Sequence, residues 1–183
     1  MNIIQKKNQN GEDLVAKIAI IATDGFEEAE LIYPYYRLKE AGHESVIISL
    51  GKRPIEGKYG YVIKPAFRID EVSANDYDGV IVPGGTKNPD YLRRNKKVLE
   101  FVHTIDQQHK LVGAICHAGW VLISSKVIKE RKATSYYAIK DDMINAGAKF
   151  EDSSVVVDGN LITSRMPDDL PDFMKEVLRF IRG

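Results

Sequence analysis

The sequence predicts an α/β fold, a three-layer sandwich in which a mostly parallel sheet carries helices on both faces, and three observations lead there. Residues 16–22, 78–82 and 111–115 are largely apolar runs with no alternation of polar positions, the pattern of strands buried on both faces. Segments with helical spacing of apolar residues lie between them, so strand and helix alternate along the chain. The run 111–115 stops abruptly at Cys116 and small residues follow, as expected where a strand turns into a helix and presents a side chain at the turn.

Taken in order, residues 16–22 form the first strand, and Thr23-Asp-Gly-Phe26 breaks it. Residues 27–41 place Ala29, Ile32, Tyr35, Tyr36 and Leu38 at helical spacing, with Gly42 as a C-terminal cap, so a helix is expected despite Pro34. Residues 45–50 form a second strand, and residues 54–65, with two glycines and alternating apolar positions, form a β-hairpin. The third buried strand, 78–82, ends in Pro83-Gly84-Gly85, whose glycines allow a close backbone approach. Residues 91–108 form an amphipathic helix, 111–115 the next strand, and a helix starts at 119–125. A basic segment at 129–132, a helix at 141–146, a hairpin at 155–163 turning at Asp158-Gly-Asn160, and a helix at 169–181 complete the chain.

The composition limits the function. A chain of 183 residues with 44% hydrophobic content makes one domain, residues 16–183, and the polar residues 1–15 form an N-terminal extension without the apolar region of a signal peptide. The 26 basic and 26 acidic side chains cancel, so neither nucleic acid nor an anionic membrane is an expected partner. One cysteine cannot form an internal disulfide, and no apolar run spans a bilayer, so a cytoplasmic protein is expected. His43, His103 and His109 are scattered and read as solvated; without clustered ligand spacing, no metal and no cofactor are expected.

Parallel sheets of this kind bind ligands at the carboxyl ends of their strands. That rule brings Asp24 to Glu30, Gly84-Gly85 and Cys116-His117 to one crevice. A helix starting just after Cys116 would favour its thiolate, lowering a pKa that is about 8.5 in a free cysteine. The plain alternative is a small buried apolar cysteine, the commoner fate of an isolated one.

Ala114-Ile-Cys-His117, Val82-Pro-Gly-Gly85 and Asp24-Gly-Phe-Glu-Glu-Ala-Glu30 together resemble the PfpI-type intracellular protease family. This family lies in the class I glutamine amidotransferase-like superfamily with the Parkinson-associated deglycase. The likeness runs from about Ala16 to Arg182 and includes Lys140-Asp-Asp-Met-Ile-Asn-Ala-Gly147 and Thr163-Ser-Arg-Met-Pro-Asp-Asp-Leu170. It implies a flavodoxin-like sandwich with a nucleophile elbow.

The resemblance also implies roles. Cys116 is the nucleophile and His117 its partner, acting mainly through its charge where direct proton transfer is poorly aligned. The acid that orients His117 comes from a neighbouring subunit, at the position of Asp90. Asp90 departs from the family's glutamate by one methylene, in a loop one residue longer, and the other reading is an N-cap of the helix near Tyr91. Glu30 hydrogen-bonds the nucleophile and, once buried, stays protonated, whereas Glu27 and Glu28 read as surface helix glutamates. The amides of Gly85 and His117 form the oxyanion hole, Tyr136 lines the pocket unless it only packs, and Trp120 narrows it. Ala118-Gly119 stands where the family commonly has Gly-Pro.

The leading expectation is thus a cofactor-independent cysteine hydrolase acting on peptides, self-associated as a homodimer or homohexamer. The alternatives are a glyoxalase or protein deglycase acting on small carbonyls such as methylglyoxal or their adducts, and a redox-sensing stress protein or chaperone. A glutamine amidotransferase is set aside, because no histidine follows residue 153.

Overall fold

The structure, a computed structural model, describes residues 15–183, so all but the last residue of the expected extension falls outside it. Strand β1 (Lys17–Ile21) leads through the loop 22–27 into α1 (Glu28–Glu40), which continues unbroken through Pro34. Gly42, at φ +85°, ends the helix: its amide donates to Lys39 O and that of His43 to Leu38 O, the paired bonds of a left-handed cap. His43, expected in solvent, is half-buried there. Its Nδ1 accepts from the Ala16 amide at 3.3 Å, and its Nε2 is buried without a partner.

Strand β2 (Glu44–Ser49) follows, and the expected hairpin is formed by β3 (Ile55–Glu56) and β4 (Val62–Ile63), paired antiparallel with Ile55 opposite Ile63. The sequence did not foretell β5 (Phe67–Arg68), which pairs parallel with the end of β2. Two residues are too short to carry a readable alternation.

After β6 (Gly79–Val82), the single helix expected at 91–108 is two helices, α2 (Lys87–Leu92) and α3 (Lys96–Gln107). Apolar periodicity passes over the break, but the cap does not: the Asn95 side chain accepts from the amides of Lys97 and Val98, satisfying two donors that open α3. Replacing Asn95 by Ala is expected to cost about 1 kcal/mol. Thermal denaturation should show a fall of roughly 2–4 °C, and Asn95→Asp should recover most of it.

Strand β7 (Leu111–Ile115) runs into a tight turn at Cys116–Ala118 and then α4 (Gly119–Ser124). Where only a basic segment was read, β8 (Lys132–Ala133) pairs parallel with β9 (Lys149–Phe150), and α5 (Lys140–Asn145) lies between them in the chain. The antiparallel hairpin of β10 (Val155–Asp158) and β11 (Leu161–Ser164) and the long helix α6 (Leu170–Arg182) complete the fold.

The main sheet has the order β10-β11-β7-β6-β1-β2-β5, parallel except for β10, in a flavodoxin-like arrangement. Successive residues of β1 explain its unbroken apolar character. Ile18 and Ile20 pack with Leu31, Phe173 and Val177 of α1 and α6, whereas Ala19 and Ile21 pack with Phe101, Val102 and Leu122 of α3 and α4. From β1 the chain goes to β2 on one side and returns to β6 on the other, which opens a crevice at the carboxyl ends of β1 and β6. Among the described residues no helix is long and apolar enough to cross a membrane.

Candidate active site

Cys116 stands at the end of β7 with φ +62°, a left-handed conformation that costs a non-glycine residue energy and recurs where a side chain must be aimed. Its small neighbours are needed for packing. Ala118 is fully buried, and a Cβ on Gly119 would lie 2.7 Å from Met143 Sδ, so glycine lets α4 seat against α5. The thiol is itself mostly buried, at 8% exposure. Its sulfur lies 3.2 Å from His117 Nδ1 and faces the backbone amides of His117 and Gly85.

Glu30 belongs to the first turn of α1 and is wholly buried. One carboxyl oxygen, Oε2, accepts from the Gly84 amide at 2.7 Å; the other, Oε1, is buried without a partner in hydrogen-bond geometry, and the Cys116 thiol is close enough to interact with the group. Burial pushes the Glu30 carboxyl up to about 8, against the Gly84 bond that favours the charged form, with the charge of Glu27 adding to the rise. The expected protonated carboxyl is therefore present through neutral pH.

The expected low thiol pKa is not found. Burial, and after it the charge of Glu30, push Cys116 up to about 12, although the amides of His117 and Gly85 work the other way. A tight turn rather than a helix follows the cysteine directly, and its amides do not offset desolvation. The two groups bear on one another: the charge of Glu30 raises the thiol, and the hydrogen bond from the thiol favours the Glu30 carboxylate.

The Gly84-Gly85 turn lets these groups meet. A Cβ on Gly84 would stand 2.6 Å from both Cys116 Cβ and Glu30 Oε2. Gly85 has φ +78°, and a Cβ there would stand 2.3 Å from Gly25 O. Neither position has room for a side chain.

His117 is framed by two aromatic rings. Tyr136 stacks on it at 4.9 Å and 28°, and Trp120 meets it edge-on at 5.3 Å. Tyr136 is tied to the elbow by its own amide, which donates to Cys116 O at 3.2 Å, and Trp120 donates from Nε1 to Asp142 at 2.8 Å. Burial and the charge of Lys58 push the imidazole below its usual value. A ring held below its usual value favours the neutral form, which can accept a proton.

Asp90 is exposed and lies inside α2, which starts at Lys87, so the N-cap reading of Asp90 fails. Among the described residues of the chain, no carboxylate hydrogen-bonds to the His117 ring. Glu27 and Glu28 are not simple surface residues either. Glu27 pairs with Lys58 at 3.2 Å, and Glu28 Oε1 accepts from the amides of Tyr59 and Tyr61, fastening the β3–β4 turn to the start of α1. Gly57 leaves room for this, since a Cβ there would stand 2.4 Å from Glu28 Oε1. The only sequence signal for that strap was the pair of glycines in 54–65.

The crevice therefore unites Glu30, Gly84-Gly85, Cys116, His117 and Tyr136. Residues 16–180 match the model of the DJ-1/PfpI family. The chain is 45% identical to the deglycase PfpI of Pyrococcus furiosus over 91% of this chain and 99% of that one. It is 42% identical to protein/nucleic acid deglycase 2 of Escherichia coli over 90% of this chain and 97% of that one. The crystal structure of Drosophila melanogaster DJ-1beta superposes with a TM-score of 0.88 at 27% identity, covering 93% of this chain and 92% of that one.

Proposed function

The chain belongs to the DJ-1/PfpI family, and on that premise we propose that it is a cofactor-independent cysteine hydrolase of the deglycase kind, acting on methylglyoxal and its early adducts with amino groups. The observation that carries this reading is the fully buried Glu30, its carboxyl held near 8 beside the Cys116 thiol. A group that titrates near neutral pH both gives and takes a proton at little cost, as a reaction at a carbonyl-bearing carbon requires. The sequence placed peptide hydrolysis first; Glu30 reverses the order.

In this mechanism Cys116 Sγ bonds to the aldehyde carbon as its proton passes to His117 Nδ1 and on to the aldehyde oxygen. The amides of Gly85 and His117 hold that oxygen. In its carboxylate form, the minor form at neutral pH, Glu30 takes the proton from the same carbon and returns it to the adjacent ketone carbon while the hydroxyl proton passes from the first oxygen to the second, leaving a lactoyl thioester on Cys116. Water cleaves the thioester, releasing lactate and restoring the thiol. A hemiaminal adduct first breaks its C–N bond, the amine leaving with the hydroxyl proton and regenerating the aldehyde that the sulfur attacks.

The test is proton NMR of lactate formed from methylglyoxal by the reduced protein and by Cys116→Ser. Lactate is expected from the first at a rate at least 10³-fold above the second. Absence of lactate from the reduced protein would refute the reading.

One observation supports peptide hydrolysis as a second reading: His117 Nδ1 lies 3.2 Å from the sulfur, the nucleophile–base pair that acyl transfer requires. It needs an acid on His117, which Asp90 of a neighbouring copy would supply in a homodimer or homohexamer, within the cytoplasm. Asp90→Ala should abolish peptide cleavage while lactate formation persists, and equal loss of both would contradict carbonyl chemistry as the main activity.

A further inference from the structure

Trp120 stands three residues after His117, in the first turn of α4, so the two side chains lie on one face of the chain as it enters the helix. The indole meets the imidazole edge-on, with ring centres 5.3 Å apart and planes at 64°, while Tyr136 stacks on the same ring at 4.9 Å and 28°. Contact with two rings fixes the plane of the imidazole, and with it the direction in which Nδ1 points. Among the described residues, the one hydrogen-bonding partner of the His117 ring is the Cys116 sulfur, 3.2 Å from Nδ1. A base beside a nucleophile needs a third group to orient it, and here ring contacts stand where a carboxylate would.

The indole is itself held. Its Nε1–H donates to Asp142 Oδ2 at 2.8 Å, which keeps it from turning away from His117. Asp142 lies in the first turn of α5, and that helix is seated on α4 by the fully buried Met143, packed where Gly119 has no side chain. The Arg93 guanidinium stands over the indole at 5.7 Å, and its Nε donates to Ser124 Oγ at 3.1 Å, one turn further along α4. Neither Trp120 nor Asp142 needs their bond for solvation: the indole is half-buried and the carboxylate exposed, so water can serve both. What the bond adds is direction.

We infer that Trp120 and Asp142 are positioning residues for the reaction: the carboxylate fixes the indole, and the indole fixes His117 with Nδ1 aimed at the sulfur. The effect on rate rests on the deglycase reading; the effect on the ring does not.

Two measurements test it. In protein labelled at histidine, the ring ¹H–¹³C signal of His117 is followed against pH. Burial and the charge of Lys58 hold the native ring below its usual value. A loosened ring gains water, so in Trp120→Phe and in Asp142→Ala it should titrate closer to about 6.5. Loss of the Asp142 charge alone would move it the other way. Asp142→Asn, whose amide oxygen still accepts from Nε1–H, should therefore show no rise. Lactate formation is measured in parallel. Trp120→Phe and Asp142→Ala should each lower kcat about tenfold with KM unchanged, and the double variant should lose no more than either, because both remove the same link. Asp142→Asn should keep most of the native rate. An unchanged or lowered titration in the first two variants, additive losses, or a rise in KM alone, which would make Trp120 a wall of the substrate pocket, overturns the inference. If the native protein forms no lactate, the deglycase reading fails while the titration still decides the positioning.

Discussion

Glu30→Gln is expected to lower lactate formation by about 10³-fold and, at pH 8, to raise the melting temperature. Both effects have one origin. The carboxyl is fully buried and its pKa is raised from 4.5 to about 8, so the folded state holds a proton that the unfolded chain releases between those values. Stability contributed by this group is therefore complete below about pH 4.5 and falls as pH rises through the window toward 8. Glutamine keeps an oxygen for the Gly84 amide and offers N–H to the sulfur in place of the unpartnered oxygen, yet carries no titrating proton. The variant should gain stability over the native protein progressively from pH 5 to pH 8, read by thermal denaturation at each pH. An unchanged pH dependence of stability would place Glu30 outside this role, and retained lactate formation would remove it from the mechanism.

The fold was legible because burial on both faces leaves an unmistakable pattern. In β1, Ile18 and Ile20 face one helical layer while Ala19 and Ile21 face the other, so no position tolerates a polar side chain that would mark a half-exposed strand. What escaped were elements defined by two residues, β5, β8 and β9, and the break at Asn95, where a side-chain cap overrides a continuous apolar stripe. The site residues were legible as types at strand ends, but their protonation was not. Cys116 was expected to ionise easily because a helix was placed directly after it; the amides that actually face it, those of His117 and Gly85, do not outweigh desolvation, and the proton stays. Similarly, nothing in the order of residues foretold that Glu27 and Glu28 fasten a hairpin 31 residues away in sequence, because that contact exists only after α1 and the strap are packed.

Gly84→Ala should disable the site and destabilise the fold together. The residue does not sit in the left-handed region, so alanine brings no backbone strain and the effect isolates crowding. Its methyl group would stand 2.6 Å from Cys116 Cβ, 2.6 Å from Glu30 Oε2 and 2.9 Å from Ile115 O. The carboxyl oxygen could move, but only by giving up the Gly84 amide. Cys116 Cβ and the Ile115 carbonyl cannot move without unpairing β7 from its neighbours or relaxing the elbow at φ +62°. Overpacking of this kind costs about 1–3 kcal/mol, which thermal denaturation would read as a fall of roughly 2–4 °C for each 1 kcal/mol. Activity should fall further, by more than about 10²-fold, because a displacement near 1 Å between nucleophile and proton carrier is enough for such a loss. The rate is to be measured well below the lowered midpoint, so that unfolded protein does not contribute. Full activity in Gly84→Ala would mean that Cys116 and Glu30 do not act as one unit; a loss of rate larger than the loss of folded protein would mean that the glycine is kept for the chemistry.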